Sequence, residues 1–177
     1  MQLFRRSSQR GASVALYDII VEQSRKPEFY RHCGVPDSVD GRFDMIALHA
    51  FLVLRRLKEL HRDRAQELLE AIFDDMDRSL REMGAGDLGV GRRVKTMAKA
   101  LYGRMAAYEA ALDGEEAALA EALRRNLFGT VEPDSDAVDA IAAYVRAEAA
   151  SLARQSPETI AEGNVLFGLP PTATGCA

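Results

Sequence analysis

Apolar residues recur at steps of three and four along nearly all of this 177-residue chain, and almost nowhere at steps of two. Such spacing gathers them on one side of an α-helix but scatters them over both faces of a strand. Alanine is abundant, and β-branched runs bounded by turn residues are nearly absent, which favours the same answer. A chain of this length supports one buried core. The expected fold is all-α, a single-domain bundle of about six to seven helices.

Breaks in the periodicity locate the helices. Residues 12–30 carry Val14, Tyr17, Ile20, Val21 and Ser24 at helical intervals, and Pro27 is expected to kink or end that helix. "HCGVPDSVDG" (32–41) reads as a turn-rich connector. A helix over about 43–60 is apolar nearly all round and is expected to be central and buried. The next, about 64–83, has an inner stripe of Ala65, Leu68, Leu69, Ile72, Phe73, Met76, Leu80 and Met83. A helix over about 90–112 repeats Val90, Val94, Met97, Leu101, Met105, Tyr108 and Leu112, and Asp113-Gly114 ends it. Two more are expected over about 115–127 and 134–154, the second buried through Val138, Ile141, Val145, Ala149 and Leu152. Residues 1–11, with Arg5, Arg6 and Arg10, read as a basic flexible arm. The helical domain occupies 12–162, and 163–177 is a Gly/Pro-rich tail expected to dock Leu166 and Phe167.

Four glycines fall within residues 84–91, and Gly84-Ala-Gly86-Asp-Leu-Gly89 spells GxGxxG. In a dinucleotide fold that pattern follows a strand and presents a helix N-terminus to a pyrophosphate. Here a helix precedes it and no parallel sheet is in view, so the string is expected to be a helix–helix connector. Gly84 would end one helix in a left-handed conformation. Gly86, Gly89 and Gly91 would permit close approach and a sharp turn, and Asp87 would cap the next helix.

Other candidate chemistry is thin. Glu67, Glu70, Asp74 and Asp77 share a helical face but lack the Glu-x-x-His partners of a di-metal bundle, so a solvated face or a surface for a basic partner is expected. His49 lies in the most apolar helix, where a hydrogen-bonded core residue is the expected role. His32 beside Cys33 and the separate His61 make no metal-ligand spacing. No nucleophilic constellation stands out, and neither a cofactor nor a metal is expected. Arg92, Lys95 and Lys99 recur at steps of three and four with Arg93 and Arg104 nearby. This face would either pair with an acidic helix of the same protein or dock an anionic partner. RNA-binding aromatics are not interleaved with it, so no specific nucleic acid is expected.

Charge is unevenly spread. Residues 84–112 carry +3 and residues 113–177 carry −7, giving two electrostatic faces. Cys33 and Cys176 make no disulfide framework and fit a reducing compartment. The longest apolar run, "MIALHAFLVL" (45–54), falls short of the roughly 20 residues of a membrane span.

Two stretches taken together carry a family resemblance. "CGVPDSVDGRFDMIALHAFLVLRRL" (33–57) and "FDDMDRSLREMGAGDLGVGRRVKTMAKALYGRMAAYEAAL" (73–112) resemble two blocks of the ubiquinol–cytochrome c chaperone family. The second includes M-D-x-x-L-R-E-M-G-x-G-D and a later Y-G-R, and the similarity continues through "ALRRNLFG" (122–129), covering roughly residues 13–130. The resemblance implies a helical, non-enzymatic assembly factor for the cytochrome bc1 complex. Mitochondrial members act with a small partner protein at the mitochondrial ribosome, where they receive newly made cytochrome b. The Ala-, Arg- and Asp-rich composition reads as that of a GC-rich bacterium, so a bacterial member is expected.

On that resemblance the expected partners are cytochrome b or another bc1 subunit, a small partner protein and an anionic membrane surface. The expected place is the cytoplasm, with peripheral attachment to the inner membrane. The client-facing surface is expected to use the 34–44 and 84–93 connectors and the start of the 90–112 helix. Its candidate residues are Asp40, Arg42, Asp44, Asp87, Arg92, Arg93, Lys95, Lys99 and Arg104. The alternative is a helical small-ligand or lipid-binding protein with an apolar pocket around Phe43, Phe51 and Phe73.

Overall fold

The computed structural model describes residues 2–58, 61–84 and 86–171, with backbone alone at 2–10, 87, 88 and 116. Cys176 and the end of the tail lie outside the described residues. Among the described residues the regular structure is all helical, with six long helices and two five-residue ones: α1 (Gln2–Ser24), α2 (Pro27–Arg31), α3 (Val39–Lys58), α4 (Arg62–Glu82), α5 (Asp87–Leu112), α6 (Glu116–Asn126), α7 (Ser135–Arg154) and α8 (Pro157–Ala161). The long helices are those that the apolar spacing marks out.

Helix α3 is the hub and packs against α1, α4, α5, α7 and α8, while α6 joins α5 to α7. Its all-round apolar sequence explains this position. Leu48, Phe51, Leu52, Leu54 and Leu57 are each at most 1% exposed, and each such side chain contributes roughly 1.5–3 kcal/mol through burial.

Local chemistry sets the boundaries. Pro27 has no N–H to donate, so it ends the α1 register and serves as the first residue of α2. The Asp134 side chain accepts the Asp136 N–H at the start of α7, and Ser156 accepts the Thr159 N–H at the start of α8. Ser38 does the same for the Gly41 N–H ahead of α3.

Three expectations need correcting. Helix α1 begins at Gln2 rather than near residue 12, because the lone Gly11 is tolerated within a helix and no proline interrupts the stretch. Its inner face is Ser13, Leu16, Tyr17, Ile20, Gln23 and Ser24, and Val14 is 45% exposed. Helix α5 begins at Asp87 with Gly86 as its N-cap, so Gly89 and Gly91 belong to its first turns and the connector shrinks to Met83–Gly86. No close approach requires these glycines, since a Cβ at Gly86, Gly89 or Gly91 would meet open space. Gly84 behaves as expected: its φ of +82° follows the Met83 C-cap and ends α4.

Among the described residues no helix is long and apolar enough to cross a membrane.

Candidate functional site

Helices α4 and α5 pack as a hairpin, and Leu80 and Val90 on either side of its turn are buried. Around the α5 cylinder, Arg92, Lys95, Lys99 and Tyr102 recur at steps of three, four and three, which places them in one stripe. All four are exposed, as is Arg93 beside them. No carboxylate pairs with Arg92, Arg93, Lys95 or Lys99 among the described residues. Among the described residues the face therefore makes no pair with an acidic helix of the same protein.

Apolar surface adjoins the cations. Met83, expected to face inward, is 61% exposed at the hairpin turn, and Tyr102 is 48% exposed. Helix α4 has already ended at Glu82, so Met83 no longer follows the helical stripe. The Tyr102 ring packs edge-on against Phe73 at 6.1 Å between centroids. Sequence reasoning missed Tyr102, although its place three residues beyond Lys99 was a usable signal. Asp87 opens α5, but the N-cap position is held by Gly86, which has no side chain to cap with.

The remaining candidate residues form a separate group. Asp40, Arg42 and Asp44 lie in the first turns of α3, which starts at Val39, earlier than the expected 43. Asp40 is exposed. The Arg42 Nε pairs with Asp37 Oδ1 at 2.7 Å. Asp44 is 7% exposed and pairs with Arg104 Nη2 at 2.7 Å, which joins the start of α3 to the middle of α5. Burial pushes the Asp44 carboxyl up to about 6, although Arg104 pulls the other way. Arg104 also lies 5.5 Å over the Phe43 ring. Asp44 and Arg104 are a clasp holding two helices, set apart from the exposed stripe.

His49 is fully buried and hydrogen-bonded, as expected. Its Nδ1 lies 2.9 Å from the Met45 carbonyl, which can only accept, so Nδ1 carries the proton. Nε2 then accepts from the Tyr144 hydroxyl at 2.9 Å, and the Tyr144 oxygen accepts from Gln23 Nε2 at 2.8 Å. Burial pulls the imidazole down to about 4, so it stays neutral near pH 7.

This interior network holds the C-terminal segment, which the sequence presented only as a loop. Gly168 is clipped at both backbone atoms: its carbonyl accepts from Gln23 Nε2 at 2.9 Å, and its N–H donates to Glu148 Oε1 at 3.0 Å. Phe167 closes edge-on over His49 at 5.2 Å. Of the two residues expected to dock, Phe167 does, whereas Leu166 is 76% exposed because its neighbours alternate across the extended strap. On α7, Tyr144 and Glu148 are buried, while Ala149 is only half-buried.

The acidic stripe of α4 faces a groove against α1. Glu67, Glu70 and Asp74 line it with Ser13, Val14 and Tyr17. Asp77 lies outside that lining and pairs with Arg81 at 2.6 Å. The three phenylalanines of the alternative reading do not surround one cavity, because each packs elsewhere: Phe51 against Tyr108, Phe73 against Tyr102 and Phe43 beneath Arg104.

Fold and site together define an all-helical domain with a cationic, partly apolar hairpin on its surface and a strap latched into a polar core. The ubiquinol-cytochrome C chaperone family model matches residues 31–167, and the chain belongs to that family. The match begins later than the resemblance suggested and extends past 130 through α7 to Phe167.

The crystal structure of the Cbp3 homolog from Brucella abortus is 39% identical and superposes with a TM-score of 0.82, covering 94% of this chain and 95% of that one. Ubiquinol-cytochrome-c reductase complex assembly factor 1 of Xenopus laevis is 24% identical over 138 residues, 76% of this chain and 69% of that protein. The Homo sapiens protein of that name is also 24% identical over 138 residues, 46% of its own length. The chain therefore spans about two thirds of the frog relative and less than half of the human one.

Proposed function

We propose that this protein is a non-enzymatic assembly chaperone of the cytochrome bc1 complex, which binds cytochrome b or an assembly intermediate at the membrane surface. Family membership and relatives named as reductase complex assembly factors support the assembly role. The observation that carries the binding surface is the α5 stripe of Arg92, Lys95, Lys99 and Tyr102, whose cations form no ion pair among the described residues, with Met83 exposed at the turn before α5. Cations next to apolar surface suit a client whose membrane segments are apolar and whose surrounding lipid is anionic. Asp40 and Asp87 lie at the starts of the two helices and complete the candidate surface, with Asp44 and Arg104 clasping α3 to α5 and Arg42 held by Asp37. A small partner protein shares the client in this reading, which places the protein in the cytoplasm and peripherally on the inner membrane.

The test is gene deletion followed by complementation. Deletion should lower assembled bc1 complex and cytochrome b, and the wild-type gene should restore both. A variant with Arg92, Arg93 and Lys95 each changed to Glu should fold but fail to restore them. Normal cytochrome b in the deletion strain would overturn the assembly role, and full rescue by the variant would overturn the surface.

A further inference from the structure

A second basic feature lies away from the α5 stripe, in a cavity of about 350 Å³ lined by Arg25, Pro27, Tyr30, Arg31, Asp37 and Arg42. Three guanidinium groups arrive there from three pieces of chain: Arg25 just beyond α1, Arg31 from α2 and Arg42 from α3. One carboxylate opposes them. Asp37 binds the Arg42 Nε, and among the described residues neither Arg25 nor Arg31 forms an ion pair.

The walls are fixed by chain geometry. Pro27 sets the turn between α1 and α2, and the Tyr30 hydroxyl donates to the Ser24 carbonyl at 2.7 Å, tying α2 back onto α1. The 34–38 loop sits directly on α3, because a Cβ at Gly41 would collide with the Pro36 carbonyl oxygen. That contact holds Asp37 beside Arg42. Burial pushes the Tyr30 phenol up, with Asp37 adding to it, while Arg42 and Arg25 pull the other way.

We propose that this cavity is a binding site for a phosphate group on a short polar stem, held by the guanidinium groups of Arg25, Arg31 and Arg42. Planar guanidinium forks match phosphate oxygens in pairs, and a concave wall of three concentrates positive potential where one carboxylate cannot cancel it. The volume lies at the small end of ligand pockets, which suits a head group better than a nucleotide. A glycerophosphate head supplies this chemistry either as a free metabolite or at the surface of an anionic bilayer. The cavity shares Arg42 and the 34–44 connector with the candidate client surface, but Arg25 and Arg31, which the test changes, lie outside it, and binding is read in vitro, so the two readings can fail separately.

The experiment titrates the full ¹⁵N-labelled chain with inorganic phosphate and with glycerol 3-phosphate, following arginine side-chain signals, with chloride at matched ionic strength as control. Saturable shifts are expected at Arg25, Arg31 and Arg42. The double variant Arg25→Gln/Arg31→Gln should weaken binding by about tenfold or more. Asp37→Asn removes the opposing charge and should tighten it, a gain that a merely structural aspartate would not give. Flotation with phosphatidylcholine vesicles, with and without phosphatidylglycerol, separates the sources. Anionic-vesicle binding lost in the double variant but kept in Arg92→Gln/Arg93→Gln assigns the lipid head group. Saturable phosphate binding without cavity-dependent flotation assigns a free phosphate. Shifts that follow ionic strength alone, or binding unchanged in the double variant, would overturn the site.

Discussion

Gln155 grips the backbone of Leu166 through both ends of its amide: Nε2 donates to the carbonyl at 2.7 Å and Oε1 accepts the N–H at 3.0 Å. Two residues on, Glu148 and Gln23 treat Gly168 in the same way. Side chains here do what a neighbouring strand does in a sheet, fixing an extended segment by alternate backbone pairs. A Cβ at Gly168 would meet Glu148 Oε1, so the glutamate carboxylate would have to swing away from it. Gly168→Ala should therefore break the Glu148 bond, leave a buried acceptor unmet and cost about 1–3 kcal/mol. Urea unfolding would measure the loss, and faster hydrogen exchange at the Leu166 and residue 168 amides would place it in the strap. Unchanged protection there would refute the latch.

The hairpin glycines should respond with opposite signs. Gly84 needs its left-handed backbone, so Gly84→Ala should destabilise by about 1–2 kcal/mol. Gly89 and Gly91 sit in ordinary helix with open space around them. Alanine at either should stabilise by roughly 0.5–1 kcal/mol. Thermal unfolding of the three single variants decides it, and a loss at Gly89 or Gly91 would contradict the placement of α5.

Two buried groups give opposing pH dependences. His49 is held near 4, below its ordinary 6.5, so its contribution is whole above pH 6.5 and is lost as pH falls toward 4, on the order of 3 kcal/mol. Asp44 is raised from 3.8 to about 6, so its contribution is whole below about pH 4 and is lost as pH rises through 6. Between pH 6.5 and 4.5 the two partly cancel in the wild type. Asp44→Asn removes one side of the balance and should lose more stability on acidification than the wild type does. Urea titrations at the two pH values test this, and an equal or shallower loss would contradict the assignment.

The exposed cations should be dispensable for folding. Changing Arg92, Arg93 and Lys95 to Glu breaks no internal ion pair among the described residues, so the midpoint of thermal unfolding should move by only a degree or two for each change, in line with surface substitutions of about 0.5 kcal/mol or less. A large drop would mean that these side chains support the fold, and any assembly defect would then lose its meaning as a binding result.

Much of the fold is written in local pattern. The stripe of α4 and the repeat of α5 depend only on residues three and four apart, and Gly84 needs only its own backbone freedom, so all three were readable from the sequence. The start of α5 was misplaced because Gly89 and Gly91 looked like breaks, whereas a helix begun at a glycine N-cap can carry both at modest cost. Helical spacing groups Val14 with Tyr17 and Val21 but does not say which face of α1 meets the core, and the face through Ser13, Leu16 and Ile20 does; Met83 follows its stripe but stands past the end of α4. The latch was illegible for a different reason. Gln23, Glu148, Gln155 and Gly168 acquire roles only through one another, and Gln23 and Gly168 stand 145 residues apart. The one local trace was a glutamate three residues after Val145 on an otherwise apolar face.

That separation also orders events in time. Gln23 is made 145 residues before the backbone carbonyl it binds, with its amide already on what becomes the inner side of α1. Until the strap has been made, Gln23 has Tyr144 but not the Gly168 carbonyl, Glu148 lacks the Gly168 N–H, and the Phe167 ring that covers His49 is absent. The domain is therefore completed from its C-terminal end, and its polar heart stays solvent-open until synthesis reaches Gly168.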